Sequence, residues 1–311
     1  MKILNRIKSK QTKRFLVWIA IALLGVTLTS CASLRRLVIK EAFPAIEATE
    51  RAILSESNED IAKQSLPFAM KLAEGIYEYS PNSLYASKLS LLYAAYAFAY
   101  VDNGPYDDFD LTADQQLRQS RALYKKAFSY ALLSLDKKVK DFSINIYKPA
   151  QVPILLEQVN SSQVEALFWL NFSWAMILFS DLSDIKTLAQ VETIRKLAER
   201  LVSLDDNYYY GAPYVILMAY YGGRSRAIGG NPTQALRYYK LAQQKSKGYS
   251  LIPYYVYMRF VAIEQADREG FEQAYREIKQ FSIDNNKEFA FVNVFLKRKA
   301  KLLYEKQELF F

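Results

Sequence analysis

One spacing recurs along this chain and limits what it can fold into. Ala69–Ala73–Ile76, Ile194–Ala198–Leu201, Ala235–Tyr239–Ala242 and Ala274–Ile278–Phe281 each set a small or apolar residue, a second four positions on and a third three further. Only an α-helix stacks such positions on one face. Strict apolar–polar alternation over five or more residues, the mark of a half-buried strand, is rare beyond residue 31. The segment "QSLPFAMKLAEGIYEY" carries Leu66, Ala69, Ala73, Ile76 and Tyr77 along one stripe, and Ser57-Asn58-Glu59-Asp60 before it resembles a capping box. "YSPNSLY" and "LDDNYYYG" read as turns. The predicted fold class is all-α.

The four triplets resemble the second helix of a tetratricopeptide repeat, whose small residues let paired helices approach closely. Pro81 or Asp206 follows two of them five residues on, as a helix stop. First-helix positions then fall into register: Leu89, Leu92, Tyr93 and Tyr96; Tyr214, Leu217, Met218 and Tyr221; less well, Tyr254, Tyr257, Met258 and Val261. This predicts helical hairpins stacked into a superhelical array over residues 56–311, without a domain linker. Tyr214 and Tyr221 read as packing residues whose hydroxyls seek a polar partner at the edge of the pair. Residues 101–116 and 222–232 lie inside hairpins and are expected on one side of the array, while 141–160, with two prolines, interrupts it.

The N-terminus reads as a targeting segment. Lys2, Arg6, Lys8, Lys10, Lys13 and Arg14 precede an uncharged run from Phe15 to Ser30, and then comes Cys31, the sole cysteine. That order describes a signal peptide over residues 1–30. Leu28-Thr29-Ser30-Cys31 resembles a lipobox, which implies acylation of Cys31 and a lipidated lead-in over 31–55. The uncharged run is short against the ~20 residues that a spanning helix needs. Six of the 41 basic and none of the 32 acidic residues lie before Cys31, so the chain from there on carries 35 against 32. Nucleic acid is therefore not an expected partner.

The chemistry is mostly negative. Histidine is absent and cysteine occurs once, so no His–Cys metal site, His-activated nucleophile or internal disulfide can be built. The Gly-rich run 222–230 lacks the G-K-[ST] ending of a phosphate cradle. Asp107, Asp108 and Asp110 lack the spacing and closing glutamate of a calcium loop. No catalytic residues, cofactor or metal are predicted. Arg224 and Arg226, on a glycine-flanked loop, read either as contacts for an anion or as plain surface cations. The surplus is aromatic: Phe168, Trp169, Phe172 and Trp174 crowd one helix, and Tyr93, Tyr96, Phe98 and Tyr100 another. They read as the lining of a groove, channel or interface, or as the thick core of a superhelix closed on itself.

Through "SCASLRRLVIKEAFPAIE", "YAAYAFAYVD", "EALFWLNFSWAMI", "LVSLDDNYYYGAPYVILMAYYGGRS" and "GGNPTQALRYYKLA", the chain resembles the TatT family, the lipoprotein T component of TRAP-type (tripartite, ATP-independent, periplasmic) transporters. The resemblance implies a tetratricopeptide-like lipoprotein anchored in the periplasm, the outer membrane favoured, and a homo-oligomer, trimeric in the family. It implies docking of the transporter's substrate-binding P subunit and passage of a hydrophobic or organic-acid ligand through a pore. The alternative is a ligand-free scaffold for envelope assembly. Tyr96, Trp169, Tyr209, Tyr210, Tyr214, Tyr221 and Arg224 are the candidate ligand- or partner-binding residues, beside Cys31 as acyl acceptor.

Overall fold

The computed structural model describes residues 44–102, 113–179 and 190–311. Cys31, the 106–110 acidic run and most of the 101–116 segment lie outside the described residues. The chain divides into two units, 1–52 and 53–311. Residues 44–54 are helical (α1). The helices that follow are α2 (Glu59–Tyr79), α3 (Ser83–Tyr96), α4 (Ala113–Asp136), the short α5 (Phe142–Asn145) and α6 (Val152–Gln158), α7 (Val164–Phe179), α8 (Val191–Leu204), α9 (Ala212–Gly222), α10 (Pro232–Ser246), α11 (Ile252–Val256), α12 (Arg268–Gln280) and α13 (Ala290–Glu305). No strand occurs among the described residues, so the all-α expectation holds.

Helix ends follow from local chemistry. Asn58 caps α2 by accepting from the amides of Asp60 and Ile61, so the cap is the asparagine rather than the preceding serine. Asn82, Asn231 and Asp267 do the same for α3, α10 and α12. The turn before α9 is held by three successive left-handed residues, Tyr209, Tyr210 and Gly211. Gly211, at φ +88°, leaves no room for a side chain, because a Cβ there would lie 2.5 Å from the Lys245 Cβ.

The hairpins are α3/α4, α7/α8, α9/α10 and α11/α12. The small residues of the second helices do what their spacing implied: Ala198, Ala235, Ala242 and Ala274 are fully buried where helices meet. Gly222 serves the same end, since a Cβ would fall 2.7 Å from Val261. In α2 the buried stripe is Ala62, Leu66 and Met70, with Ala69, Ala73 and Ile76 only half-buried, a rotation from the expected face. The irregular span 141–160 forms α5 and α6 and packs between α4 and α8.

Within the 53–311 unit the array closes on itself. α13 packs on α12 and α11, and also on α2 and on Ala97–Val101, the segment that continues α3. Arg298 Nε bonds Glu59 at 2.6 Å, and Lys299 donates to the carbonyls of Phe98 and Asp102. The aromatic surplus is thereby explained in part, because a ring has an inside as well as hairpin seams.

Candidate functional site: an apolar channel within the ring

The first helices of the hairpins run side by side around the interior, and each turns one stripe inward. On α9 the stripe is Ala212, Val215, Ile216, Ala219 and Tyr220; on α11 and its continuation it is Ile252, Val256, Phe260 and Glu264. Steps of three and four residues keep these positions on a single face. The stripe is offset from the hairpin seam, which on α9 holds Tyr214, Leu217, Met218 and Tyr221.

Two cavities lie along these stripes. The larger, about 300 Å³, takes the C-terminal halves of the first helices: Ala175 and Met176, Ala219 and Tyr220, Phe260. The smaller, about 110 Å³, takes the N-terminal halves: Phe168 and Trp169, Ala212, Ile252. They share Phe98, Phe172, Val215, Ile216 and Val256, so they are stacked end to end with a common wall. From Ala212 to Gly223 the line covers roughly 16 Å at the rise of an α-helix. Apart from the polar tips of Trp169 and Tyr209, the smaller chamber is lined by apolar side chains. The larger carries its polar groups at one rim, where Arg224 sits with exposed Glu264 and Ile228. An interior of this kind desolvates an apolar guest.

Of the candidates from sequence, Trp169 and Tyr209 meet on the smaller chamber, ring centroids 5.8 Å apart. Arg224 lies on the rim of the larger, stacked over Tyr220 at 4.1 Å, where its three nitrogens donate to the carbonyls of Tyr220, Ile228 and Gly229. The loop amides of Ile228, Gly229, Gly230 and Asn231 are likewise bonded to nearby carbonyls. Tyr210 rests on Phe289 and Tyr249 beside the smaller chamber without lining it. Tyr214 and Tyr221 both stack on Tyr238 in the α9/α10 seam, and Tyr96 packs beside Tyr100; none of the three lines either chamber.

Several tyrosines, Tyr220 on the chamber wall and the others away from it, share a pattern. Tyr214 donates to Asp206, Tyr220 to Glu192, Tyr124 to Asp102, Tyr257 to Asp267, and both Tyr93 and Tyr130 to Glu74. Each ring packs while its hydroxyl reaches a carboxylate. Phe98 and Phe172, which stood among the aromatics read as a lining or a thick core, border both chambers; the residues that sequence reasoning missed are Ile216, Val256 and Phe260. Their signal was present as a second apolar stripe on each first helix, one face away from the repeat's own.

The class the fold defines is a closed ring of helical hairpins around an apolar chamber. Residues 55–311 match the family model described as "TRAP transporter T-component", and the chain belongs to that family. It is also similar to an uncharacterized protein of Treponema pallidum (strain Nichols), 23% identical over 236 residues, which cover 72% of this chain and 71% of that one. The family is a transport accessory, so the chain is associated with a TRAP transporter at a membrane or in the periplasm. No helix among the described residues is long and apolar enough to cross a membrane.

Proposed function

We propose that this chain is the lipid-anchored periplasmic partner of a TRAP transporter, docking its substrate-binding P subunit and holding a hydrophobic or amphipathic organic acid in the channel. The two stacked chambers carry this reading. Their walls are apolar, and one rim carries the Arg224 cation, with Glu264 on the same rim. The larger chamber falls at the small end of the range for small-molecule sites. A scaffold without a ligand would have no use for an apolar interior left open at this size, since packed cores leave few voids larger than a water molecule.

Filling the chamber tests the reading. Ala219, buried on the wall of the larger chamber, is replaced by tryptophan in a soluble form carrying Cys31→Ala. Binding of the cavity dye 1-aminoanthracene is expected to fall at least tenfold in Ala219→Trp, with helicity retained by circular dichroism. If the unaltered chain takes up no dye and releases no lipophilic compound on solvent extraction, the scaffold alternative stands instead.

The homo-oligomer implied by resemblance needs an apolar surface outside the ring, and α2 has one. Ile61, Phe68, Leu72 and Tyr79 are all exposed, at successive spacings of seven, four and seven residues. With Ser65 and Gly75 between them, also exposed, they form the seam of a heptad repeat, the spacing by which one helix receives another. Phe68→Glu with Leu72→Glu is expected to reduce the mass seen by light scattering to that of one chain while the melting temperature of the fold is kept. An unchanged mass would remove α2 from the interface.

A further inference from the structure

The wall shared by the two chambers contains a departure from regular helix. α3 changes to a π-helix over Ala97–Val101, and α11 continues as a π-helix over Tyr257–Ala262. Such turns are rare and cluster where function requires a side chain to be re-aimed. The local sequence does not ask for one here, since "YAAYAFAY" is built of residues that sustain an ordinary α-helix, alanine above all. The wider turn is held from outside. Lys299, 2% exposed, donates to the Phe98 carbonyl at 2.7 Å and to that of Asp102, and Arg298 donates to the Ala99 carbonyl at 2.5 Å. Asp102, which ends the segment, accepts from Arg259 in the second π-helix at 2.8 Å.

The clasp aims one ring. Phe98 borders both chambers, edge-on to Phe172 at 5.4 Å and to Tyr255 and Phe295 at 6.0 Å. The Lys299 ammonium lies 4.9 Å from the ring centroid, so one side chain holds both the backbone and the ring of Phe98.

We infer that Phe98 is the constriction between the chambers and sets how long an apolar chain the channel admits, with Lys299 as its positioning residue. This rests on the ligand reading above. A tail entering past Arg224 fills the larger chamber and stops against the phenyl ring. Relaxation of the π turn to α-helix turns the ring away and joins the chambers into one tube.

The test is a series of saturated fatty acids of increasing length displacing 1-aminoanthracene from the Cys31→Ala chain. Affinity rises about fourfold per buried methylene until the tail meets the constriction, and then levels. Phe98→Ala moves the break to longer chains and Phe98→Trp to shorter ones. Lys299→Met moves it as Phe98→Ala does, whereas Lys299→Arg, which keeps donors at the carbonyls, leaves it in place. Phe98→Leu, closer to phenylalanine in volume, replaces the alanine variant if that one fails to fold. A break that stays put in every Phe98 variant while the dye still binds overturns the assignment of Phe98 alone. No dye binding by the unaltered chain overturns the ligand reading and this inference with it.

Discussion

Asp102→Ala is expected to destabilise the chain by about 3–5 kcal/mol, the cost of leaving buried charge without its partner. Asp102 is 9% exposed, accepts from Arg259 at 2.8 Å and from the Tyr124 hydroxyl at 2.9 Å, and its carbonyl receives the Lys299 ammonium. Burial by itself resists ionisation of this carboxyl, and the Arg259 and Lys299 charges outweigh it, so its pKa lies below the ordinary value. Alanine removes the anion and leaves two cations in the interior. For a domain of this size the midpoint of thermal unfolding, followed by circular dichroism, should fall by about 10 °C. Adding Arg259→Met should recover much of the loss, because an apolar replacement of a whole buried pair is often close to neutral. A loss below about 1 kcal/mol for Asp102→Ala would mean that the ring is closed by other contacts.

Acid should unfold the protein by a mechanism located on α2. Glu74 accepts from Lys71 at 2.5 Å and from the hydroxyls of Tyr93 and Tyr130, with Lys126 3.5 Å away. Burial works against its charge, but Lys71, Tyr93 and Lys126 together hold its pKa down at about 2 against an ordinary 4.5. Burial and the Glu74 carboxylate push the Tyr130 phenol up to about 12, so that hydroxyl stays a donor at every pH of interest. A folded-state pKa below the unfolded one gives stability that is complete above the unfolded value and is lost as pH falls through the folded value. Stability should therefore be level from neutral pH to about 5.5 and decline towards pH 2. Glu74 accounts for at most about 3 kcal/mol of the decline, and less because the Lys71 side chain is largely in solvent. Asp102, depressed in the same sense, adds to it. Urea midpoints measured from neutral pH downwards check the curve, and Glu74→Gln should flatten its acid limb. Equal midpoints at pH 7 and pH 3 would refute it.

The repeat was legible because its seam is local. Ala235 and Ala242 lie on one helix, and Tyr214 to Tyr221 on the helix before it, so periodicity alone paired them. The turn 207–211 was legible from composition, though not that two tyrosines in it take left-handed conformations to bring Tyr209 beside Trp169. The channel was half legible. Trp169 stood out on an aromatic-crowded helix, Tyr209 and Arg224 in or beside turns, and all three border the chambers. Val215, Ile216 and Val256 did not, because an aliphatic residue facing a cavity has the same hydropathy as one facing a neighbouring helix.

The order of residues alone determined the helical class and the hairpin pairing, since each depends on spacings within about forty positions, the length of one repeat, and the family was legible from motif strings spread along the chain. Closure of the ring was decided only in three dimensions. Glu59 and Arg298, or Phe98 and Lys299, stand some two hundred residues apart and meet because the rotation between successive hairpins accumulates until the last helix reaches the first. The same closure converts inward stripes that look like ordinary core into a chamber, because side chains converging on an axis from several helices do not fill it.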